Sequence, residues 1–309
     1  MKLIIQIPCF NEAETLAIAL SALPRKVEGF EKVEWLIIND GSSDETVKVA
    51  KECGVDYIVN FKNNQGLAKG FMTGIKECIK QGADVIVNTD ADNQYEAEDI
   101  PKLTKQILEH KAEYVIGSRP ISTTAHFSIT KKLLQKLGSW AVQKVSKTDI
   151  PDAPSGFRAM SRECAIQLNV YNNYTYTLET IIQAGQKNMA ITSVPIRTNE
   201  DLRPSRLLSS IPNYIKKSVI TMIRIFVVYQ PFKFFMTIAT ILFGAGFLLG
   251  IRFLYYYFTG EGTGHMQSVV LSGVLMGIGF QTGLIAFIAD LLAVNRKLLE
   301  EIKLDTTNK

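Results

Sequence analysis

The sequence predicts an α/β domain with a mostly parallel sheet, followed by a membrane-associated C-terminal third. Over the first two hundred residues, short apolar runs alternate with amphipathic stretches of helical length. This alternation is typical of a parallel sheet that is covered by helices on both faces. From Phe234 to Ala289, in contrast, the only charged residues are Arg252 and Glu261, so two segments are apolar enough to cross a bilayer.

Five strands and four helices are predicted in the first 120 residues. The predicted strands cover residues 3–7, 34–38, 57–60, 85–89 and 114–117. The predicted helices cover residues 14–23, 46–53, 66–80 and 100–110. Ligands of such sheets bind beyond the carboxyl ends of the strands, so the residues that follow each strand are the candidate site residues.

Composition and charge restrict the class of protein. With 47% hydrophobic and 21% charged residues, the chain is neither disordered nor collagen-like. A net charge of +4 is too small to indicate nucleic-acid binding, and no nucleic acid is expected as a partner. Residues 201–233, however, carry six basic residues and one acidic residue, which fits an anionic lipid surface or an anionic substrate lying at one. The four cysteines have no metal-ligand spacing, which favours free thiols.

The C-terminal third is expected to hold the chain in a membrane. Residues 211–232 form a basic amphipathic pattern that is typical of a helix in the membrane interface. Residues 233–295 would hold two transmembrane helices, at about 233–258 and 266–291. The loop between them lacks Lys and Arg, whereas basic residues follow the second span. The positive-inside rule therefore predicts that the domain 1–210, the tail 296–309 and both termini are cytoplasmic.

Two carboxylates stand directly after the fourth predicted strand. Asp90 and Asp92, with Gln94 two residues further on, offer the oxygen ligands that Mg²⁺ or Mn²⁺ prefers when it is shared with substrate phosphates. A solvated acidic turn is the alternative for such a pair. The position after a buried strand, together with the acidic loop 40–44, favours the metal site.

The loop 40–44 has two interpretations. Asp40 could accept hydrogen bonds from the base or ribose of a nucleotide. The loop could instead be a turn in which Ser43 or Asp44 caps the following helix. Both interpretations are compatible, because capping does not occupy Asp40.

Six motifs, taken together, resemble glycosyltransferase family 2. In chain order they are Pro8-Cys9-Phe10-Asn11-Glu12, Asp40-Gly41-Ser42-Ser43-Asp44, Asn64-Gln65-Gly66-Leu67-Ala68-Lys69-Gly70, Asp90-Ala91-Asp92-Asn93-Gln94, Gly117-Ser118-Arg119 and Ser155-Gly156-Phe157-Arg158. They are most similar to the polyprenyl-phosphate glycosyltransferases related to dolichyl-phosphate mannose synthase. The resemblance covers about 230 residues, and two C-terminal spans also match one branch of that family.

The resemblance implies a GT-A catalytic domain and assigns expected roles to individual residues. Residues expected to bind the nucleotide sugar are Pro8, Glu12, Asp40, Asp90 and Ala91. Residues expected to hold a divalent metal, Mg²⁺ or Mn²⁺, are Asp90, Asp92 and Gln94. Residues expected to bind the acceptor phosphate are Arg119, Lys131 or Lys132, Arg203 and Arg206. The expected catalytic residues are Asp152, Asp92 and Arg119.

Some of these assignments have competing explanations. Lysine at 131 and 132 keeps the charge of the arginine that relatives often carry but loses its bidentate geometry. Asp152 lies between two prolines, where it could be a turn residue. Arg203 and Arg206 could belong to a solvated juxtamembrane run of charge.

The implied reaction is an inverting, metal-dependent transfer of one hexose. A UDP- or GDP-hexose would be the donor, and the phosphate of undecaprenyl or dolichyl phosphate would be the acceptor. A homo-oligomer is expected from the same resemblance and from glycines at four-residue spacing in the spans. Two alternatives remain: a transferase with another membrane acceptor, such as a glycolipid or a polysaccharide, and a non-catalytic scaffold. The intact Asp90–Asp92 pair and Arg119 favour an enzyme.

Overall fold

The computed structural model describes residues 1–120, 129–170, 176–200, 216, 219–220, 223–224, 226–260 and 262–307. These residues belong to two compact units, Met1–Ser218 and Val219–Lys309. Each unit has its own architecture: the first is an α/β domain and the second is built from long apolar helices. The sequence predicts these two architectures in the same order along the chain.

Among the described residues, seven strands form one sheet in the first unit. The strands are β1 (Lys2–Cys9), β2 (Lys32–Asn39), β3 (Tyr57–Asn60), β4 (Val85–Asn88), β5 (Tyr114–Ser118), β6 (Arg158–Ser161) and β7 (Ile191–Pro195). The helices are α1 (Ala13–Ala22), α2 (Thr46–Glu52), α3 (Leu67–Lys80), α4 (Ile100–Leu108), α5 (Ile129–Ser146), α6 (Arg162–Gln167) and α7 (Thr177–Gln186). The five strands and four helices predicted from the sequence are confirmed, with ends that differ by at most two residues.

The strand order is β3-β2-β1-β4-β6-β5-β7. All neighbouring strands are parallel except β6, which runs antiparallel to both β4 and β5. Because β6 has the opposite direction, the residues that precede it lie at the same edge of the sheet as the residues that follow β4 and β5. Arg158, the first residue of β6, is accordingly paired with Asn88, the last residue of β4. This strand was not predicted, and it decides which residues meet at the site.

Burial of apolar strands drives the formation of the domain. The central strand β1 contains Leu3, Ile4, Ile5 and Ile7, all of which are fully buried, as is typical of a strand covered on both faces. The flanking helices bury one face each: α3 buries Phe71 and Ile75 against the sheet. The four cysteines of the chain are free thiols, as expected.

The second unit contains two helices of membrane-spanning length in its described part: α8 (Pro231–Phe258) and α9 (Met266–Thr307). Within α8 and within the stretch Met266–Leu299 of α9, the mean hydropathy over an 18-residue window reaches 2.2 and 1.8. Glycines allow the two helices to approach closely, because a Cβ atom on Gly279 would lie 2.7 Å from the backbone nitrogen of Phe243. The Ser272 hydroxyl also donates a 2.6 Å hydrogen bond to the carbonyl of Gly246. The long apolar spans expected from the sequence are therefore present as helices.

The interfacial helix predicted at 211–232 lies largely outside the described residues. Those of its residues that are described before Gln230 have helical backbone: 216, 219, 220, 223, 224 and 226–229. Val219, Ile220 and Ile223 are exposed. The boundary at 210 and the membrane position of this segment stay predictions.

Candidate active site at the carboxyl edge of the sheet

The loops after β1 and β2 are hydrogen-bonded to each other. Asn11 has a left-handed backbone (φ 54°), and its side-chain oxygen accepts a hydrogen bond from the Ser43 backbone nitrogen at 2.8 Å. Asp44 accepts from the backbone nitrogens of Ala13 and Thr46, each at 3.0 Å, so it binds the first backbone N–H of both α1 and α2. Although partial burial opposes ionisation, these bonds and one from the Thr46 hydroxyl hold the pKa of Asp44 below its usual value.

A cavity of about 320 Å³ opens between these two loops. It is lined by Asn11, Glu12, Ala13, Glu14, Thr15, Asp44 and Glu45. Glu12, one of the residues expected to bind the nucleotide sugar, therefore lies on an accessible surface. Pro8 is half-buried at the end of β1.

Asp40 is buried, with 5% of its surface exposed. Its two carboxylate oxygens accept hydrogen bonds from the backbone nitrogens of Gln65 (2.6 Å) and Gly66 (2.9 Å). The loop after β2 is thereby joined to the loop before α3, two of the segments that carry the family resemblance. The expected contact between Asp40 and a nucleotide stays a prediction.

Asp90 follows β4 and lies in a crowded polar environment. A Cβ atom on Gly156 would stand 3.1 Å from both of its carboxylate oxygens, so the carboxylate would have to move by a few tenths of an ångström to accommodate any other residue. The Tyr95 hydroxyl favours the ionised form of Asp90 and so acts to lower its pKa. Burial and the negative charge of Asp92 nevertheless raise the pKa of Asp90 to about 7. The protein around Asp90 therefore stabilises the negative charge of its ionised carboxylate only weakly.

The acidic loop fits a divalent cation that is shared with a substrate. The Gln94 backbone nitrogen donates to Asp92 at 3.2 Å, which fixes one carboxylate of the loop. Within the described residues, no three His, Cys, Asp or Glu side chains form a cluster that could hold a metal. Mg²⁺ commonly binds through one or two carboxylates together with substrate phosphates and water, and the two carboxylates of Asp90 and Asp92 match that number. Ala91, between them, is buried.

Arg119, which follows β5, forms a buried ion pair with Asp152. Its Nε and Nη2 atoms donate to the two carboxylate oxygens at 2.7 and 2.9 Å, and its backbone nitrogen donates to one of them at 3.2 Å. The Arg119 side chain is 8% exposed and Asp152 is fully buried. Burial opposes the charged form of Arg119, but neighbouring groups, including Asp152 and Asp90, hold its pKa above the usual value. The sequence did not predict that these two candidates bind each other.

A second buried arginine supports the segment that carries Asp152 and Gly156. Arg158 is fully buried, and its guanidinium donates to the carbonyls of Ser155 and Ala153 at 2.7 and 2.8 Å. It also donates to the hydroxyls of Tyr114 and Thr180, each at 2.7 Å. The sequence marked Arg158 only as part of a motif, and its structural role was not predicted.

Of two hydroxyl-bearing residues of the site, Tyr95 was missed and Ser155 was marked only as part of a motif. Tyr95 accepts a hydrogen bond from the Gly156 backbone nitrogen at 2.9 Å and stacks on Phe157, with ring centroids 5.2 Å apart. Ser155 is fully buried, and its hydroxyl has no hydrogen-bond partner in the part of the chain that the structure describes. The signal for both was their proximity in sequence to Asp92 and Asp152.

Four residues expected to bind the acceptor phosphate have side chains outside the described part of the structure. Lys131 and Lys132 lie on the backbone of α5, but their side chains are outside the described part of the structure. Arg203 and Arg206 are outside the described residues altogether. Their roles stay predictions.

The sheet order and its acidic edge define an α/β domain of the GT-A class. Glucosyl-3-phosphoglycerate synthase from Mycobacterium tuberculosis, solved with Mn²⁺, UDP-glucose and phosphoglyceric acid, has a similar fold. The TM-score is 0.56 at 16% sequence identity, and the match covers 72% of this chain and 79% of that one.

The sequence assigns the domain to a family. Glycosyl transferase family 2 matches residues 4–168, and the chain belongs to this family. It is a glycosyltransferase with two candidate membrane-spanning helices.

Its relatives include enzymes named for polyprenyl phosphates. The UDP-N-acetylglucosamine–dolichyl-phosphate N-acetylglucosaminyltransferase of Methanococcus voltae is 28% identical over 214 residues, covering 62% of this chain and 83% of that protein. The undecaprenyl-phosphate mannosyltransferase of Micrococcus luteus is 25% identical over 207 residues, covering 63% and 83%. The polyprenol monophosphomannose synthase of Mycolicibacterium smegmatis is 24% identical over 221 residues, covering 68% and 82%.

Proposed function

We propose that this glycosyltransferase moves a single hexose from a UDP- or GDP-hexose to the phosphate of a membrane polyprenyl phosphate, with inversion at the anomeric carbon. The observation that carries the proposal is the Arg119–Asp152 pair beside the acidic pair at the sheet edge. In this pair, Arg119 supplies a positive charge of fixed orientation for an anionic acceptor. The neighbouring carboxylates of Asp90 and Asp92 are suited to a metal ion that binds the diphosphate of the donor. The names of the relatives support the polyprenyl class of acceptor.

Asp152 acts through Arg119 in this proposal. Both of its carboxylate oxygens bind the guanidinium, and the carboxylate is fully buried. A bidentate pair restricts the orientation of the arginine. The Nη1 group of Arg119 donates no hydrogen bond to the described residues, so it is the group that we assign to the acceptor phosphate.

The reaction requires positioning more than proton transfer. A phosphate monoester is ionised at neutral pH and attacks the anomeric carbon without a strong base, while the donor's diphosphate leaves. Arg119 holds the incoming anion and orients it, which lowers the entropic part of the barrier. Asp90, Asp92 and Gln94 would hold Mg²⁺ or Mn²⁺, which stabilises the charge of the leaving diphosphate.

We further propose that the catalytic domain and both termini face the cytoplasm. The support is the distribution of charge: Arg296, Lys297 and Lys303 follow the second span, and the connecting loop has neither Lys nor Arg. The expected homo-oligomer stays a prediction.

The test is release of nucleoside diphosphate by the full-length protein in detergent. A panel of UDP- and GDP-hexoses is assayed with Mg²⁺ or Mn²⁺, with and without a short polyprenyl phosphate. We expect one donor to give release that depends on the lipid and that is lost in Asp92→Ala and Arg119→Lys. Arg25→Lys is the matched control, because Arg25 forms a partly exposed ion pair with Asp56 outside the site and should tolerate the change.

The outcomes separate the competing functions. Lipid-dependent release with a product of inverted anomeric configuration by NMR supports the proposal. Release that requires a glycolipid or polysaccharide in place of the polyprenyl phosphate would identify a different membrane acceptor. Absence of release with every donor and acceptor would favour the non-catalytic scaffold.

A further inference from the structure

The segment that follows β7 is hydrogen-bonded to the acidic loop that follows β4. The backbone nitrogen of Asn199 donates to the carbonyl of Gln94 at 2.9 Å. Its side-chain Nδ2 donates to the carbonyl of Asn93 at 3.0 Å and, at a longer 3.4 Å, to that of Tyr95. One residue therefore contacts three consecutive carbonyl groups of a loop more than a hundred positions away in sequence.

These carbonyls directly follow Asp92 in the chain and include that of Gln94, so they lie next to two of the predicted metal ligands. Asn93 lies between Asp92 and Gln94 and has a left-handed backbone, with φ of 56°. This conformation is unfavourable for residues other than glycine, although asparagine tolerates it better than most. A left-handed backbone at such a residue persists when the surrounding structure stabilises it. The Asn199 side chain donates hydrogen bonds to the carbonyl of Asn93 itself and to that of Tyr95, on either side of Gln94.

The far side of the same loop has an independent anchor. The backbone nitrogen of Arg197 donates to Asp99 at 2.7 Å, and its guanidinium pairs with the other oxygen of Asp99 at 2.9 Å. The Glu96 backbone nitrogen donates to the carbonyl of Arg197 at 3.3 Å. Loss of the Asn199 side chain should therefore leave the two segments associated, also through the bond from the Asn199 backbone nitrogen to the Gln94 carbonyl, and it should loosen only the stretch from Asn93 to Tyr95.

We propose that Asn199 is a positioning residue that holds Asp92 and Gln94 in the geometry that binds a divalent cation. This inference rests on the proposed metal-dependent function. Groups that orient metal ligands typically change metal affinity by about 10- to 100-fold when they are removed. The Asn199 side chain acts through the loop backbone, so its removal weakens cation binding without unfolding the domain.

The experiment measures Mn²⁺ binding directly. The full-length protein in detergent is titrated with Mn²⁺ in the presence of UDP, and free Mn²⁺ is followed by its EPR signal, with a protein-free titration of UDP subtracted. We expect Asn199→Ala and the nearly isosteric Asn199→Leu to raise the Mn²⁺ dissociation constant about tenfold or more. Arg197→Gln, which removes the neighbouring anchor, should leave the dissociation constant unchanged. Urea unfolding of each variant records stability separately.

The controls distinguish this inference from the function on which it rests. If Asp92→Ala loses Mn²⁺ binding while both Asn199 variants bind like the wild type, the role of Asn199 is overturned and the metal site stands. If Asp92→Ala binds like the wild type, the metal site and the role of Asn199 are both overturned. An equal loss in Arg197→Gln and in the Asn199 variants would also overturn the role, because the contact would then be one of general stability.

Discussion

Asp90→Asn should stabilise the metal-free protein, and the gain should grow with pH. Asp90 is a carboxylate whose pKa is raised to about 7 by burial and by the charge of Asp92. The unfolded chain gives the same group its ordinary pKa of about 3.9. The folded protein therefore binds this proton more tightly than the unfolded chain, and its stability falls as the pH rises from about 4 to about 7. Asparagine keeps the acceptor oxygen for Tyr95 and removes the charge.

The size of the effect follows from the shift in pKa. Each pKa unit corresponds to about 1.4 kcal/mol, so an ionised Asp90 costs the folded state about 4 kcal/mol above pH 7. At pH 5 the folded protein keeps the proton, and the lower affinity of the unfolded chain for this proton reduces the cost to the folded state to about 1–2 kcal/mol. The difference in the free energy of unfolding between Asp90→Asn and the wild type should therefore increase by about 3 kcal/mol between pH 5 and pH 8.

Urea unfolding with tryptophan fluorescence provides the assay. Both tryptophans of the chain, Trp35 and Trp140, belong to the first unit, Met1–Ser218. The fluorescence signal therefore does not report on the long apolar helices of the second unit. The measurement uses detergent and EDTA at pH 5, 6, 7 and 8. Asp92→Asn is the control, because loss of its charge should lower the pKa of Asp90 and give a smaller gain of the same sign. If the difference in the free energy of unfolding between Asp90→Asn and the wild type were the same at every pH, the reasoning would be refuted.

Three further predictions concern the segment that precedes β6. Asp152→Asn should lower the free energy of unfolding by about 3 kcal/mol, because it leaves Arg119 buried without its counter-ion; urea unfolding measures this. Ser155→Ala should not lower that free energy and could raise it by about 1 kcal/mol, because the buried hydroxyl has no partner among the described residues. Gly156→Ala should cost about 1–3 kcal/mol and reduce nucleoside diphosphate release, because its Cβ would displace the carboxylate of Asp90.

Each of these has an outcome that contradicts it. Unchanged stability of Asp152→Asn would mean that the ion pair with Arg119 is not formed in solution. A loss of several kcal/mol in Ser155→Ala would show that its hydroxyl is hydrogen-bonded. Wild-type activity of Gly156→Ala would show that Asp90 does not need the position that the structure gives it.

Local sequence patterns were sufficient for the first five strands of the sheet. The strands β1 to β5 are predominantly apolar, and the helices between them have the spacing of a buried face, so each could be predicted from its own residues. The strands β6 and β7 were missed. The β6 segment, Arg158–Ser161, has two polar residues among four, and its arginine is buried only because Tyr114, Thr180 and two carbonyls surround it. No local pattern reveals such an environment.

Like the sheet, the candidate site has one part that the sequence predicted and another that only the tertiary structure reveals. The sequence by itself determined the family, the acidic pair after β4, and the presence of Arg119 and Asp152, because chemistry requires particular residue types in particular loops. The tertiary structure alone decided that Asp152 binds Arg119, that Gly156 makes room for Asp90, and that Asn199 reaches the acidic loop. These contacts join residues that are 33 to 106 positions apart. The direction of β6 and the course of the chain after β7 bring them together, and both depend on packing of the whole sheet.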